Sequence, residues 1–532
     1  MTGGYLLALD AGTGSCRAAL FGLDGELAGL AQREWSHPPQ DGIRGSQSFD
    51  PAGNWAVICA CIREVLGDMA SSASGLSGIK GYGSLVRAVG CSAMGGGLVL
   101  YDRRGREVWA CANGDARAGQ EAAAMLADGT AAELYRRGGG WISITAPPRL
   151  AWVRRHRPGV WAEVRRFSMI ADWMVLRLTG TLATEASIGS TSGLFDLGRR
   201  TWSPELLSRC ELDPAWFPEV VEAGTVVGQV SAGAAAQTGL AAGTPVVAGG
   251  LDTALGLTGL GPGPTAAGRL TVTGGSFWKQ TVLAPAPVVE PDGQLRTICH
   301  LRPGQWLVEG IGFYAGFALR WLRDQAAAAG QPLSYAELEA LAAAVPPGAR
   351  GLTARLVPAD AWTWARWRPP FRPGPVAAAP ARLGEQVRAV QEAAAFSARR
   401  TAGLISRLLG PAAVTEVLLA GGAARSRLWP QILADVLACP VTVAEHAESA
   451  SLGAAMLAGR VTGLLPDETP RGPGPEPGAV PGEGPPDPAD RAAARPARTV
   501  HPDPAGQRAY DELYARWATP SAGALYSHRI PS

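Results

Sequence analysis

Apolar and polar positions follow two recurring patterns along this chain. In the first, a short apolar run ends in a glycine-rich turn. Tyr5–Asp10 (YLLALD) enters the turn AGTGS, and a second apolar run, RAALFGL, closes at Asp24-Gly25, which predicts strand, tight turn, strand. Leu270–Leu283 repeats the design with a strand LTVT, the turn Gly274-Gly275-Ser276 and a second strand carrying Phe277 and Trp278, so the spacing predicts a duplicated fold. Val86–Gly97 is a strand entering the turn Gly95-Gly96-Gly97, followed by the strand Leu98–Tyr101. In the second pattern the period is helical. Asp50-Pro51 opens a helix with Trp55, Ile58, Ile62 and Val65 on one face, and helical spacing also covers Pro148–Gly180, Glu385–Leu409, Ser449–Leu457 and Asp503–Trp517. Glu309–Asp324 begins in glycines and becomes an amphipathic helix. Val414–Ala420 leads through Gly421-Gly422 into a helix from about Arg427 to Leu437. Beyond Pro466 proline, glycine, aspartate and alanine dominate, which predicts an irregular linker.

The stretch that organises the rest is Val246–Gly261, VVAGGLDTALGLTGLG, where a buried strand, a Gly249-Gly250 turn and a small-residue helix enclose one carboxylate, Asp252. Asp252 reads either as an ordinary helix cap or as a catalytic acid at a seam, and the two matching glycine turns on either side weigh toward chemistry. At Asp10–Ser15, backbone amides of Gly12 and Gly14 and hydroxyls of Thr13 and Ser15 suit an anion, while Asp10 suits a water-bridged cation. An ordinary hairpin with polar turn residues is the alternative there. Asn113, Asp115 and Arg117 follow a strand directly and read as ligand-bearing loop or as a capped helix starting at Asp115.

Bulk properties remove whole classes. With 532 residues, 47% hydrophobic, the chain has material for two or three cores, and 48 basic against 46 acidic residues leave no field for nucleic acid or a membrane surface. Eight cysteines lie scattered without a CxxC pair or zinc spacing, so reduced thiols in the cytoplasm are expected, and no apolar run reaches the ~20 residues that span a bilayer. The only lysines are Lys80 and Lys279, and no Gly-Lys pair exists, which excludes a Walker-type phosphate loop. If the chain binds ATP, backbone amides and hydroxyls must hold the phosphates.

Taken in order, DAGTGS, GGLDTALGLTGLG, TVTGGS and LLAGGAARSRLWPQILADVLACPV resemble the FGGY family of carbohydrate kinases from Tyr5 to about Gly463. The resemblance implies an α/β fold of two actin-like (ribonuclease H-like, hexokinase-type) domains around a central cleft. It divides the chain into residues 1–248 (substrate and phosphate side), 249–465 (nucleotide side), a linker 466–500 and a helical tail 501–532. ATP and Mg²⁺ are the implied cofactors, with Asp10 near the metal. Gly12, Thr13, Gly14, Ser15 and Arg17, with Thr273, Gly274, Gly275 and Ser276, would hold phosphates. Gly316, Gly421, Gly422 and Ser426 would face the nucleotide, and Asp252 would accept the proton of the attacking hydroxyl. Further likenesses at GSQSFD, WACANGDARA, PRLAWVRRH, MIADW and HPDPAGQRAYDELYARW favour a subgroup acting on an open-chain dihydroxypentanedione over xylulose and glycerol kinases. That subgroup carries Arg-Glu, and xylulose kinases Met-His, where this chain has Gly95-Gly96. The substrate pocket, built from Gly95, Gly96, Asn113, Asp115, Asp252 and Trp278, is therefore expected to be wider or refilled by a neighbour such as Asn113 or Trp278. The partner is a small sugar- or polyol-like molecule, with no nucleic acid and no membrane, and a homodimer is left open. A pentulose or polyol kinase is the near alternative, and an actin-fold ATPase or a regulatory relative the distant one.

Overall fold

The computed structural model describes residues 4–40, 42–72, 82–260, 268–275, 278–312, 315–354, 356, 371–373, 382–444, 448–466 and 498–518. Two mixed sheets share one plan. In the first, β1 (Tyr5–Ala11), β2 (Ser15–Gly22), β3 (Leu27–Glu34), β4 (Val86–Ala93), β5 (Val226–Gln229) and β6 (Pro245–Leu251) lie in the order β5-β6-β4-β1-β2-β3. In the second, β7 (Arg269–Gly274), β8 (Trp278–Ala284), β9 (Arg296–Cys299), β10 (Trp306–Gly312), β11 (Glu416–Ala420), β12 (Val441–Val443) and β13 (Arg498–Val500) lie in the order β9-β10-β8-β7-β11-β12-β13. β1 pairs antiparallel with β2 and parallel with β4, just as β7 pairs antiparallel with β8 and parallel with β11. The glycine turns at 12–14 and 274–275 thus sit at equivalent corners of a duplicated unit, which makes the fold α/β with two actin-like lobes.

Central strands buried on both faces explain the unbroken apolar runs. Leu6, Leu7, Ala8 and Leu9 of β1 are all buried, as are Val417, Leu418, Leu419 and Ala420 of β11. Each lobe has its own core. The helices α1 (Pro51–Ser72), with Trp55, Ile58, Ile62 and Val65 buried, and α4 (Leu383–Leu409) cover the two sheets. Between them in the chain come α2 (Asp252–Gly259) and α3 (Ala315–Ala328); after α4 come α5 (Leu428–Leu437), α6 (Ser449–Val461) and α7 (Pro504–Ala518). α6 follows the second sheet, yet Leu452, Ala454, Ala455 and Met456 belong to the core of the first lobe. α7 docks on the second lobe through Tyr510 and Trp517, both near Phe396.

Two expectations shift. Pro148–Gly180 is not one helical stretch: helices Ala146–His156 and Pro158–Glu163 are followed by a strand Arg166–Met169 and a helix Ile170–Thr179. That strand pairs with Leu98–Tyr101 and buries Phe167 and Met169, so cross-strand packing overrides local period. Glu309 is a buried residue inside β10 and not the start of a helix, which begins at Ala315. The predicted linker falls almost wholly outside the described residues, as does the tail beyond Ala518.

Candidate active site

The lobes face each other across a cleft of about 390 Å³. Its first-lobe wall is the β1–β2 turn (Asp10, Gly12, Thr13, Gly14, Ser15, Arg17), the Gly95-Gly96 turn, Asn113 and Asp252; its second-lobe wall carries Thr273, Gly275, Lys279, Gly421 and Gly422.

Asp252 stands at the end of β6, a strand of the first sheet, as the first residue of α2, so it lies in the first lobe and not beyond the expected boundary at 248/249. Leu251, not Asp252, is the helix cap, and no side-chain capping bond forms there, so the plain-cap reading fails. What orients the corner lies behind it: the Leu251 amide donates to Ser187 Oγ at 3.0 Å, and Ser187 Oγ donates to the buried carboxylate of Glu185 at 2.5 Å. Gly250 holds φ +131° where a Cβ would meet Ser187 and Glu185, so glycine is needed at that bend. Asp252 Oδ1 accepts from the Thr253 amide at 2.6 Å, from Thr253 Oγ1 at 3.1 Å and from Lys279 Nζ at 3.0 Å.

Asp10 sits opposite Arg17 in the β1–β2 register, and Arg17 Nη1 donates to its Oδ2 at 3.1 Å while Arg17 Nε faces Glu448 at 3.4 Å. Burial pushes the Asp10 carboxyl up to about 6; Arg17 opposes this and the Asp252 carboxylate adds to it. Asp10 Oδ1 is buried without a hydrogen-bond partner. Among the described residues no three acidic, histidine or cysteine side chains cluster as a metal cage. The Asp10 carboxylate, with a spare oxygen beside the glycine turn, fits Mg²⁺, which keeps several waters and takes few protein ligands.

Two expected substrate contacts are corrected. Trp278 is fully buried in the second-lobe core, its ring 4.4 Å from that of Trp429, and does not line the cleft. Asp115 is buried and bound to Arg117 Nη2 at 2.7 Å and to the Gln47 amide at 2.7 Å; Arg117 lies between Trp109 and Trp152. That network shapes the loop below the pocket, and Asp115 caps no helix. At Gly95-Gly96 the backbone leaves little room for a Cβ. A Cβ on Gly95 would come within 2.8 Å of Thr191 and 3.0 Å of Leu251, and Gly96 holds φ +86° with the Ile144 carbonyl 2.9 Å from a Cβ position. Thr191 and Ile144 refill the space, and the Gly96 amide donates to Thr191 Oγ1 at 3.1 Å. Asn113 does line the cleft: its Nδ2 donates to Thr13 Oγ1 at 2.9 Å, and its Oδ1 is buried without a partner.

On the nucleotide side, Thr273, Gly275, Gly421 and Gly422 line the cleft, whereas Gly274, Gly316 and Ser426 do not. Gly274 packs on Ala423 and Trp278. Ser426 Oγ accepts from the Trp429 amide at 2.9 Å, closing the first turn of α5. From the start of α3 it is Phe317 and Arg320, and not Gly316, that reach the cleft. Ser276 lies outside the described residues. Sequence reasoning missed Lys279, Thr253, Thr191 and Glu448 as cleft residues.

The comparisons with known proteins meet this geometry. Residues 5–259 match the FGGY family of carbohydrate kinases, N-terminal domain, and residues 279–461 its C-terminal domain. The chain belongs to the FGGY family of carbohydrate kinases. Among curated relatives, autoinducer-2 kinase of Yersinia pseudotuberculosis serotype O:3 (strain YPIII) is 38% identical over 476 residues, 87% of each chain, and that of Yersinia enterocolitica serotype O:8 / biotype 1B is 38% identical over 479 residues. Among solved structures, xylulose kinase from Rhodospirillum rubrum superposes with TM-score 0.75 at 25% identity, covering 97% of both chains. Plasmodium falciparum glycerol kinase with ADP superposes with TM-score 0.76 at 15% identity over 97% of this chain and 99% of its own, a likeness of fold alone. This FGGY kinase is therefore a carbohydrate kinase. Among its described residues no helix is long and apolar enough to cross a membrane.

Proposed function

We propose that this FGGY kinase transfers the γ-phosphoryl group of ATP to a hydroxyl of autoinducer-2 in its open dihydroxypentanedione form. The observation that carries the transfer is Asp252, a carboxylate of one lobe projecting into the cleft opposite the Thr273–Gly275 turn of the other. The choice of acceptor is supported by the autoinducer-2 kinases that match most of the chain.

In this reading the acceptor lies on the first-lobe wall with its hydroxyl at Asp252. The hydroxyl oxygen forms a bond to the γ-phosphorus as the bridge between the β- and γ-phosphates breaks. ADP leaves with the bridging electron pair, and the hydroxyl proton passes to the Asp252 carboxylate. The amides of Thr13, Gly14 and Gly275 and the Thr13, Ser15 and Thr273 hydroxyls grip the phosphates. Asp10, through its free oxygen, would hold Mg²⁺, which would supply positive charge against the phosphates. Transfer of this kind needs positioning and charge neutralisation more than covalent help, and closure of two lobes supplies the positioning.

Asn113 Oδ1 is placed to accept from a substrate hydroxyl. Asn113→Ala is expected to raise the acceptor KM about 3- to 10-fold, as for one neutral hydrogen bond, with the ATP KM within about twofold. Steady-state kinetics with each substrate varied checks this, and an unchanged acceptor KM would remove Asn113 from the pocket.

The test of the function is a coupled ADP-release assay over dihydroxypentanedione, xylulose, ribulose, glycerol and erythritol. The highest kcat/KM is expected on the first. A clear preference for xylulose would make this a pentulose kinase, the reading favoured by the xylulose kinase superposition; no ADP release with any acceptor would overturn both.

A further inference from the structure

Among the described residues four basic side chains line the cleft: Arg17, Lys279, Arg296 and Arg320. Arg17 is held by Asp10 and Glu448. Arg296 is committed to Glu309, a fully buried carboxylate, with Nε 2.9 Å from Oε1. Arg320 is exposed and lies over the Phe317 ring, 5.7 Å from its centroid, on α3. Lys279 differs from all three. It is one of two lysines among 48 basic residues, its Cα is paired with Thr273 across the β7–β8 hairpin, and its ammonium crosses from the second lobe to Asp252 and Thr253 of the first. Its Nζ donates to Asp252 Oδ1 at 3.0 Å and to Thr253 Oγ1 at 2.6 Å, which leaves one of three N–H donors for another partner. Neither end of the bridge is sealed in the core: the side chains of Lys279 and Asp252 are 20% and 26% exposed.

We propose that Lys279 is the cation that steadies the γ-phosphoryl group on its way to the acceptor hydroxyl, sharing its ammonium between Asp252 and the γ-phosphate oxygens. The proposal rests on the kinase reading above and goes beyond it by assigning the γ-phosphate to a side chain that no glycine-turn motif contains. The reasons are geometric. A residue opposite Thr273 is already beside the phosphate turn, and the flexible four-carbon stem lets a compact charge swing between carboxylate and phosphate without moving the backbone. In the transition state charge is spread over the γ-phosphoryl oxygens, and an ammonium within reach of them, held nearby by Asp252 and Thr253, would stabilise it. The pair also ties the two lobes together at the base, so the γ-phosphate and Asp252 share one hub.

The test separates this role from simple structural pairing. In Lys279→Gln, affinity for a non-hydrolysable ATP analogue with Mg²⁺ is expected to fall about tenfold while affinity for ADP stays within about twofold, because only the former carries the γ-phosphate. In the same variant kcat is expected to fall on the order of 10²-fold, with the acceptor KM little changed. Lys279→Arg, which keeps the charge on a stiffer fork, is expected to regain most of the analogue affinity and part of kcat. Equal losses for ATP analogue and ADP, or no loss for either, would overturn the proposal and leave Lys279 a structural partner of Asp252. The binding arm needs no acceptor, so a parent enzyme that turns over no sugar would sink the kinase reading without touching the Lys279 result.

Discussion

Asp252→Asn is expected to lower kcat on the order of 10³-fold, about 4 kcal/mol of barrier, while leaving the ATP dissociation constant within about twofold. The substitution is isosteric, and an amide oxygen can still accept from Lys279 and from the Thr253 amide, so the corner at the start of α2 keeps its shape. What is lost is the group that takes the hydroxyl proton. Single-turnover ADP formation together with nucleotide titration measures both quantities. Turnover near the parent rate would remove Asp252 from the chemistry, and loss of ATP binding in equal measure would make it a structural support. Asp10 is poorly placed to take over, because Arg17 occupies one of its oxygens and it lies on β1.

The parts of the fold that could be read from sequence are those where backbone demand is written into residue type. Each strand, glycine turn, strand unit appears where its spacing predicts, because the glycines at Gly12–Gly14 and Gly274–Gly275 mark a chain that must turn tightly. The duplicated sheet order follows from the same two units. What could not be read are contacts made by residues distant in the chain. Trp278 follows a glycine turn, yet strand alternation sends it into the core against Trp429, while its neighbour Lys279 points the other way, into the cleft. That alternation was available from the sequence, and so was the rarity of lysine; together they single out Lys279. Thr191 and Ile144 were not available, since only the fold brings them against Gly95 and Gly96. Asp115, a polar residue after a strand, looks like a ligand until the buried Arg117 guanidinium is placed beside it.

Gly453→Ala is expected to lower the melting temperature by about 5–10 °C and kcat about tenfold, although residue 453 touches no substrate. α2 and α6 cross at the junction of the lobes with glycine on both faces. A Cβ on Gly453 would overlap the Leu255 carbonyl oxygen and sit 3.0 Å from the Gly259 nitrogen; one on Gly259 would overlap the Ser449 carbonyl. Both obstacles are backbone within helices, and neither can rotate away as a side chain would. α6 is also pressed onto β4, where Gly90 faces the Ala454 carbonyl, so the added methyl cannot be relieved by shifting α6 toward the sheet. The yielding element is α2, whose first residue is Asp252, and a small displacement of that carboxylate from the attacking hydroxyl is costly. Gly233→Ala supplies the contrast. It lies exposed in the helix Ala232–Thr238 with no atom within 4 Å of a Cβ position, and there the same methyl should leave kcat unchanged and raise stability slightly. Differential scanning fluorimetry and kcat on both variants decide the matter. A Gly453→Ala enzyme that melts and turns over like the parent would mean that the two helices have room to part, and that Asp252 is not held by their crossing.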